Sequence, residues 1–227
     1  MSETVLLMTK LPGPGKVKSR LARMGGEEWA LGLYRNFVLD ILSTLEETPF
    51  NIVISFYPPD GEGEIASWLG KSHDYLPQVG KDLGERLKNS LISAFSNGAR
   101  KAVALASDVP DLPPSFIRRA FESLDSHDAV IGPCPDGGYY LIGFRKDSFR
   151  PEAFDGIDWG MERVFGKTME LLNGRSVSVL PEWRDMDTME DVLHLFLAYR
   201  GGASPCPRTM AYLEESFTHL PLPALRK

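Results

Sequence analysis

The chain has 227 residues and a mass of 25.3 kDa, enough for one domain with a well-buried core and short of two full-sized ones. A formal charge of −6 and a pI near 5.3 argue against wrapping nucleic acid, although a local group of Lys and Arg can still hold a small anion. Cys134 and Cys206 form no CxxC, and His73, His127, His194 and His219 show no ligand spacing, so neither a zinc site nor a disulfide framework follows and a reducing compartment fits.

The opening, Met1 to Lys10, lacks the charged start and long apolar middle of a signal peptide, and no run approaches the ~18 apolar residues of a membrane helix. A soluble, cytoplasmic protein without a membrane span is expected. Val5–Met8 reads as a buried first strand that ends at the loop from Leu11 to Gly15. Ala30, Leu33, Tyr34, Phe37, Val38, Ile41, Leu42 and Leu45 recur at helical spacing and predict an amphipathic helix over Glu27–Leu45. Asn51–Tyr57 is β-branched and aromatic and reads as the second strand.

A weaker helix at Glu62–Leu69 leads to a short strand at Tyr75–Val79. Leu83, Leu87, Leu91, Ala94 and Phe95 then mark a helix that stops at Asn97-Gly98. Lys101–Ala106 is nearly all apolar and predicts a central strand. A helix over Pro113–Leu124, strands at Ala129–Ile131 and Tyr139–Phe144, a helix at Met161–Leu172, a strand at Ser176–Leu180 and a helix at Met189–Tyr199 complete the alternation. The pattern predicts a single α/β domain over residues 1–200, three-layered, with a mostly parallel mixed sheet and helices on both faces. Residues 201–227 read as a proline-containing C-terminal extension with a short helix near Thr209–Phe217.

In such sheets ligands sit beyond the carboxyl ends of the strands, so the chemistry belongs to the loops that follow them. The first loop brings Lys10, Lys16, Lys18 and Arg20 together with Gly13 and Gly15, residue types that approach and neutralise phosphate. It is not a P-loop, because GxxxxGK[ST] would need glycine at 10 and Ser or Thr at 17, where Lys10 and Val17 stand. A solvated basic loop is the alternative reading. The loop after the central strand carries Asp108, a candidate ligand for a hard cation, and Asp111, which could simply cap the next helix.

The third loop pairs Asp136 with Gly137 and Gly138, which turn chemistry alone could also explain. In the fourth, Asp187 or Thr188 can cap the last helix with Asp191 near its first turn. Asp185 has no such duty and is the freer candidate for a metal; Asp187 could serve either way.

Taken in order, these loops carry six motifs: Lys10-x-Pro12-x-x-Gly15-x-Val17-Lys18-Ser19-Arg20-Leu21-Ala22; Gln78-x-Gly80-x-Asp82-Leu83-Gly84-Glu85-Arg86-Leu87; Ser107-Asp108-Val109-Pro110-Asp111-Leu112; Gly132-Pro133-x-x-Asp136-Gly137-Gly138-Tyr139-Tyr140-Leu141-Ile142-Gly143; Ile157-x-Trp159-Gly160; and Asp185-x-Asp187-Thr188-x-Glu190-Asp191. Together they resemble a bacterial family of predicted glycosyltransferases with the nucleotide-diphospho-sugar transferase (GT-A) fold, similar to the molybdenum-cofactor and phospholactate guanylyltransferases.

The resemblance implies a nucleotide over the first loop, bound by Lys10, Gly15, Lys16 and Arg20, with Lys16, Lys18 and Arg20 near phosphate. It implies a nucleobase and phosphate wall from Gly80, Asp82, Leu83 and Arg86, and an acceptor or sugar facing Asp136, Gly137 and Gly138. Lys18 and Asp108 take the catalytic positions, with Mg²⁺ or Mn²⁺ on Asp108 and on Asp185 or Asp187. The Asp108-Val-Pro-Asp111 spacing departs from the Asp-x-Asp of many GT-A transferases and is closer to a nucleotidyltransferase pattern.

Three functions fit the sequence. The first is glycosyl transfer from a nucleotide-sugar donor to a small-molecule acceptor, which the family's usual naming favours. The second is nucleotidyl transfer from an NTP with pyrophosphate release, which the dense cationic loop favours. The third is nucleotide binding without catalysis, for which the full set of acids would be superfluous. Neither a nucleic-acid partner nor an oligomeric state is read from the chain.

Overall fold

The first strand, β1 (Glu3–Lys10), is longer than its apolar centre predicts because it is paired along both edges. The structure, a computed structural model, describes residues 2–219 and gathers them into two compact units. One comprises the described residues up to Leu11 with Leu45–Ala106 and Pro113–Arg184; the other comprises Pro12–Thr44, Ser107–Leu112 and the described residues from Asp185 onward.

The first unit holds the whole sheet. Its strands are β1, β2 (Asn51–Tyr57), β3 (Asp74–Pro77), β4 (Lys101–Ala106), β5 (Ala129–Pro133), β6 (Tyr139–Arg145) and β7 (Val177–Val179), in the order β3-β2-β1-β4-β6-β5-β7. All pairings are parallel except those of β6, which runs antiparallel to both β4 and β5. The cause is chain length. Only Cys134–Gly138 joins β5 to β6, a hairpin-sized link, whereas a parallel crossover needs a dozen residues or more. The mostly parallel mixed sheet expected from the sequence is therefore present.

β4 is central and apolar, with Ala102, Val103, Ala104 and Leu105 all buried. Alternation sends Ala102 and Ala104 to one face, where Leu87, Leu91, Ala94 and Phe95 of α4 (Leu83–Ser96) pack over them. A short 3-10 helix at Pro151–Phe154 adds Phe154 to the same cluster. α5 (Pro114–Ser123) lies against β4 and β5 and buries Ile117, Ala120 and Phe121 outside that cluster. α3 (Glu62–Leu69) and α6 (Val164–Leu171) complete the first unit's helices; α6 begins at Val164 rather than at Met161, because Met161–Arg163 belong to a turn.

The second unit is helical. It contains α1 (Ser19–Gly25), most of α2 (Glu27–Glu46), α7 (Met189–Tyr199) and α8 (Pro207–His219). Each apolar position that predicted α2 is buried. α1 was not expected: it is a short turn of helix anchored by one buried side chain, Leu21, too brief to leave a periodic signature. Thr188 caps α7 in a capping box with Asp191, its hydroxyl accepting from the Asp191 N–H at 3.3 Å while Asp191 accepts from the Thr188 N–H at 2.7 Å.

α8 replaces the shorter helix expected near Thr209–Phe217; the rest of the predicted extension, residues 220–227, lies outside the described residues. Its first turn is held by Asp40 of α2, a fully buried carboxylate that accepts from the N–H groups of Arg208 (3.2 Å) and Thr209 (2.7 Å). Cys134 and Cys206 are both free and buried. No helix among the described residues is long and apolar enough to cross a membrane.

Asp40→Ala removes the acceptor for two first-turn amides and the partner of Arg208. It is expected to lower stability by about 3 kcal/mol, read from urea unfolding, with Asp40→Asn intermediate. A loss below about 0.5 kcal/mol would show that α8 does not depend on this carboxylate.

Candidate active site

Beyond β1 the chain turns at Gly13, whose carbonyl accepts from the Lys16 N–H at 3.0 Å. Val17 and Leu21 then point into the second unit and are buried, which pins the segment between them. Lys18 sits at the start of α1 with φ 48° and ψ 47°, the left-handed region that non-glycine residues seldom occupy. Its side chain is 7% exposed, and its Nζ donates to Asp108 Oδ2 at 2.7 Å and to Asp187 Oδ1 at 3.4 Å. Arg20 reaches the other oxygen of Asp187, Nη1 to Oδ2, at 2.7 Å.

Burial alone would pull the Lys18 ammonium's pKa down, and this is the largest single influence on it. The combined attraction of Asp108, Asp187 and Asp185, with the Asp108 hydrogen bond, outweighs that effect and leaves the pKa raised. Lys18 is thus a buried, firmly protonated cation among three carboxylates.

The carboxylates are positioned by backbone. Asp108 stands two residues beyond the end of β4, and its carbonyl accepts from the Met186 N–H at 2.9 Å. Met186 is buried, so the half-buried Asp185 and Asp187 flank an inward-pointing residue whose register against Asp108 is fixed by that bond. On the α2 side, the hydroxyls of Tyr34 and Ser107 lie 3.3 Å apart. Neither Met186 nor Tyr34 is singled out by the sequence. The Asp-Met-Asp alternation is the signal for Met186, whereas Tyr34 is hidden within an apolar stripe.

Asp111 corrects an expectation. The N-cap of α5 is Pro113, without a side-chain cap; Asp111 is buried instead and accepts from Tyr199 Oη of α7 at 3.5 Å. Asp187 is not a helix cap either, since Thr188 fills that role and leaves Asp187 to Lys18 and Arg20. Gly15 and Lys16 lie exposed in the same second-unit loop.

The remaining candidate residues belong to the first unit, including the exposed Lys10 at the end of β1. Asp82 caps α4, accepting from the Glu85 N–H at 2.9 Å, and follows Gly80 and Lys81. Leu83 is 41% exposed at the helix start. The Arg86 guanidinium stacks 4.1 Å from the centroid of the Tyr57 ring, and its Nε is buried without a hydrogen-bond partner among the described residues. Tyr57, the last residue of β2, carries no signal in the sequence beyond its place in a strand. In the third loop Asp136 Oδ1 accepts from the Gly138 N–H at 2.8 Å, and the Gly137 N–H donates to the Cys134 carbonyl at 3.2 Å. Asp136 and Gly138 thereby form a tight turn directly before β6.

The strand order and the charged loops that follow β1 and β4 define the nucleotide-diphospho-sugar transferase fold. The chain belongs to the family described as "Uncharacterized protein conserved in bacteria (DUF2064)", which matches residues 41–161. A proposed nucleotide-diphospho-sugar transferase from Desulfovibrio desulfuricans G20 is 40% identical, with a TM-score of 0.90 and 96% of each chain covered.

The 4-diphosphocytidyl-2C-methyl-D-erythritol synthase of Anaerococcus prevotii shares the fold at 13% identity and a TM-score of 0.56, over 94% of this chain and 98% of that one. Rv0371c of Mycobacterium tuberculosis, solved as a manganese complex, shares it at 14% identity and a TM-score of 0.53, over 86% and 98%. No curated protein matches the chain.

If Lys18 and Asp108 stabilise each other as their 2.7 Å contact implies, their losses are not additive. Asp108→Ala strands a buried ammonium, and Lys18→Met strands crowded carboxylates. The double variant is expected to recover about 2 kcal/mol relative to the sum of the singles in urea unfolding. Simple additivity would mean that the contact contributes nothing to the folded state.

Proposed function

We propose that the chain is a metal-dependent transferase acting on a nucleotide-activated donor, with the Lys18, Asp108 and Asp187 cluster as its catalytic centre. The observation that carries this reading is the focusing of two carboxylates on one cationic point. Asp108 and Asp187 both lie within 3.4 Å of a single nitrogen, and Asp185 acts on the same charge.

The donor set fits Mg²⁺ or Mn²⁺: carboxylate oxygens only, partly exposed, on backbone fixed by the Met186–Asp108 bond. Asp108 and Asp187, with Asp185 in reserve, would hold the ion. When bound, a divalent cation would offset the charge that gathers on the departing phosphate. The protein's own residues do the rest. Lys18, once its carboxylates turn to a metal, has an ammonium ready to donate to a phosphate oxygen, and Arg20 and Lys16 add charge from the same loop. In the first unit, Arg86 offers an unsatisfied buried N–H, held in place by Tyr57, to an anionic or carbonyl oxygen of a nucleotide. Gly80, Asp82 and Leu83 shape the start of α4 beside it, and Asp136–Gly138 is the proposed acceptor or sugar turn.

Within this class we favour glycosyl transfer from an NDP-sugar, because the relative at 40% identity is described as a nucleotide-diphospho-sugar transferase. Nucleotidyl transfer is the second reading. It is favoured by the cation density of the first loop and by the placement of Asp111, buried against Tyr199, which leaves Asp108 as the one acid of the β4 loop in the Lys18 cluster rather than an Asp-x-Asp pair. The products separate the two: NDP released from an NDP-sugar supports the first, and pyrophosphate released from an NTP supports the second. With either donor, Asp108→Ala is expected to lower kcat by at least about a thousandfold while the circular dichroism spectrum is retained. Full turnover in that variant would remove Asp108 from the mechanism.

Metal binding has a sharper test. Lys18 competes for the same oxygens that a metal needs. Lys18→Met should therefore bind Mn²⁺ about tenfold more tightly than the unsubstituted protein in the absence of nucleotide, as measured by calorimetry. Equal or weaker binding would place the metal away from Asp108 and Asp187.

A further inference from the structure

Trp159 lies between the 3-10 helix and α6, in a motif that the cluster around Lys18 does not use. It is half-buried, between a buried Ile157 and an exposed Gly160. Its indole rests on the first turn of α4: a Cβ at Gly84 would lie 2.5 Å from the indole Nε1, closer than such contacts ever come. Only glycine leaves room for that ring. On another side the indole meets Tyr139 edge-on, with ring centroids 6.2 Å apart and planes at 83°. Tyr139 directly follows Gly138.

The far end of the same segment closes on the Asp-Gly-Gly turn. A Cβ at Gly137 would sit 2.0 Å from the Glu162 carbonyl oxygen, and the Phe165 N–H donates to the Gly137 carbonyl at 2.8 Å. Gly137 also has φ 87°, so both its backbone conformation and its surroundings demand glycine. The segment from Ile157 to Phe165 is thus fastened at one end to the start of α4 and at the other to the turn before β6. Interiors this closely packed transmit displacement rather than absorb it.

We propose that Trp159 is a positioning residue that ties the Gly80–Arg86 loop to the Asp136–Gly138 turn, so that a nucleotide settling on the first sets the acceptor turn. Naming the two ends as nucleotide and acceptor sides rests on the function proposed above. The mechanical tie rests only on the contacts of Trp159, Gly84, Tyr139 and Gly137.

Hydrogen exchange of the full chain, followed by mass spectrometry, tests both parts. Without ligand, Trp159→Ala is expected to speed exchange at least tenfold in both 80–86 and 136–138, and to leave the amides of β4 unchanged. Trp159→Phe should recover most of the protection, as a retained ring would, and Gly84→Ala, which displaces the indole, should reproduce the loosening if the alanine variant fails to fold. Faster exchange in only one of the two segments, or in neither, overturns the tie.

The second arm adds Mn²⁺ with CTP, GTP or UDP-glucose. In the unsubstituted protein, protection of 80–86 should spread to 136–138; in Trp159→Ala it should stop at 80–86. Protection that never reaches 136–138 in the unsubstituted protein overturns the coupling and leaves the nucleotide site standing. Absence of protection at 80–86 with all three compounds overturns the nucleotide assignment, and the ligand-free arm still decides the tie.

Discussion

Placing an ammonium where only 7% of its side chain meets water costs several kcal/mol of hydration, and Lys18 is tolerable there only because carboxylates replace the lost water. That requirement organises the second unit. Asp108 comes from the loop after β4, Asp187 from the approach to α7, and Lys18 from the approach to α1, so three remote stretches of chain must arrive at one point. The left-handed backbone at Lys18 and the main-chain bond from Met186 to Asp108 are the local adjustments that make the meeting possible. Neither feature has a purpose in helix or strand formation by itself. Strain of this kind persists where the surroundings over-determine it, which in this unit is the ion cluster.

The first unit solves a different problem with different means. Its two loops carry few buried charges and are shaped by the absence of side chains: Gly84 admits an indole, and Gly137 admits a peptide carbonyl. Arg86 is the exception, and Tyr57 holds it in place through its ring face rather than through an opposing charge. A guanidinium held by an aromatic ring keeps its positive field for another partner, whereas one neutralised by a carboxylate would not. The pairing of Arg20 with Asp187 illustrates the other case: at 62% exposure the Arg20 side chain is solvated, and its ion pair adds little to stability.

Elements with a long hydrophobic period were legible in the sequence. Asn51–Tyr57, Glu62–Leu69, Lys101–Ala106 and Met189–Tyr199 have the bounds that their patterns predict, because each is set by burial on one side and a turn or cap at its end. What escaped was set by contacts remote in sequence. α1 has a single buried residue, and α6 starts only after the turn at Met161–Arg163, whose Glu162 lies against Gly137. The sequence marks the acids as a set, but not which of them meet Lys18 and which pack elsewhere. Asp111 had a plausible local duty at a helix start, and only the packed structure shows it turned toward Tyr199. Asp187 was the reverse case, a possible cap that proves to face Lys18. Local rules identify which residues are available for a task; competition among neighbours decides which of them takes it.

That competition also sets the charge of the Lys18 cluster. Asp108, Asp185 and Asp187 oppose Lys18 and Arg20, which leaves one net negative charge, a field that repels a bare polyphosphate. Under the proposed function, a divalent cation on these carboxylates would reverse the sign to one net positive charge and would free Lys18 from the oxygens it now occupies. The same ion would make the cluster favourable for an anionic donor, whichever bond of that donor is broken. That charge balance would favour a donor that carries its own cation, while the ammonium of Lys18 keeps Asp108 and Asp187 paired in the structure as it stands.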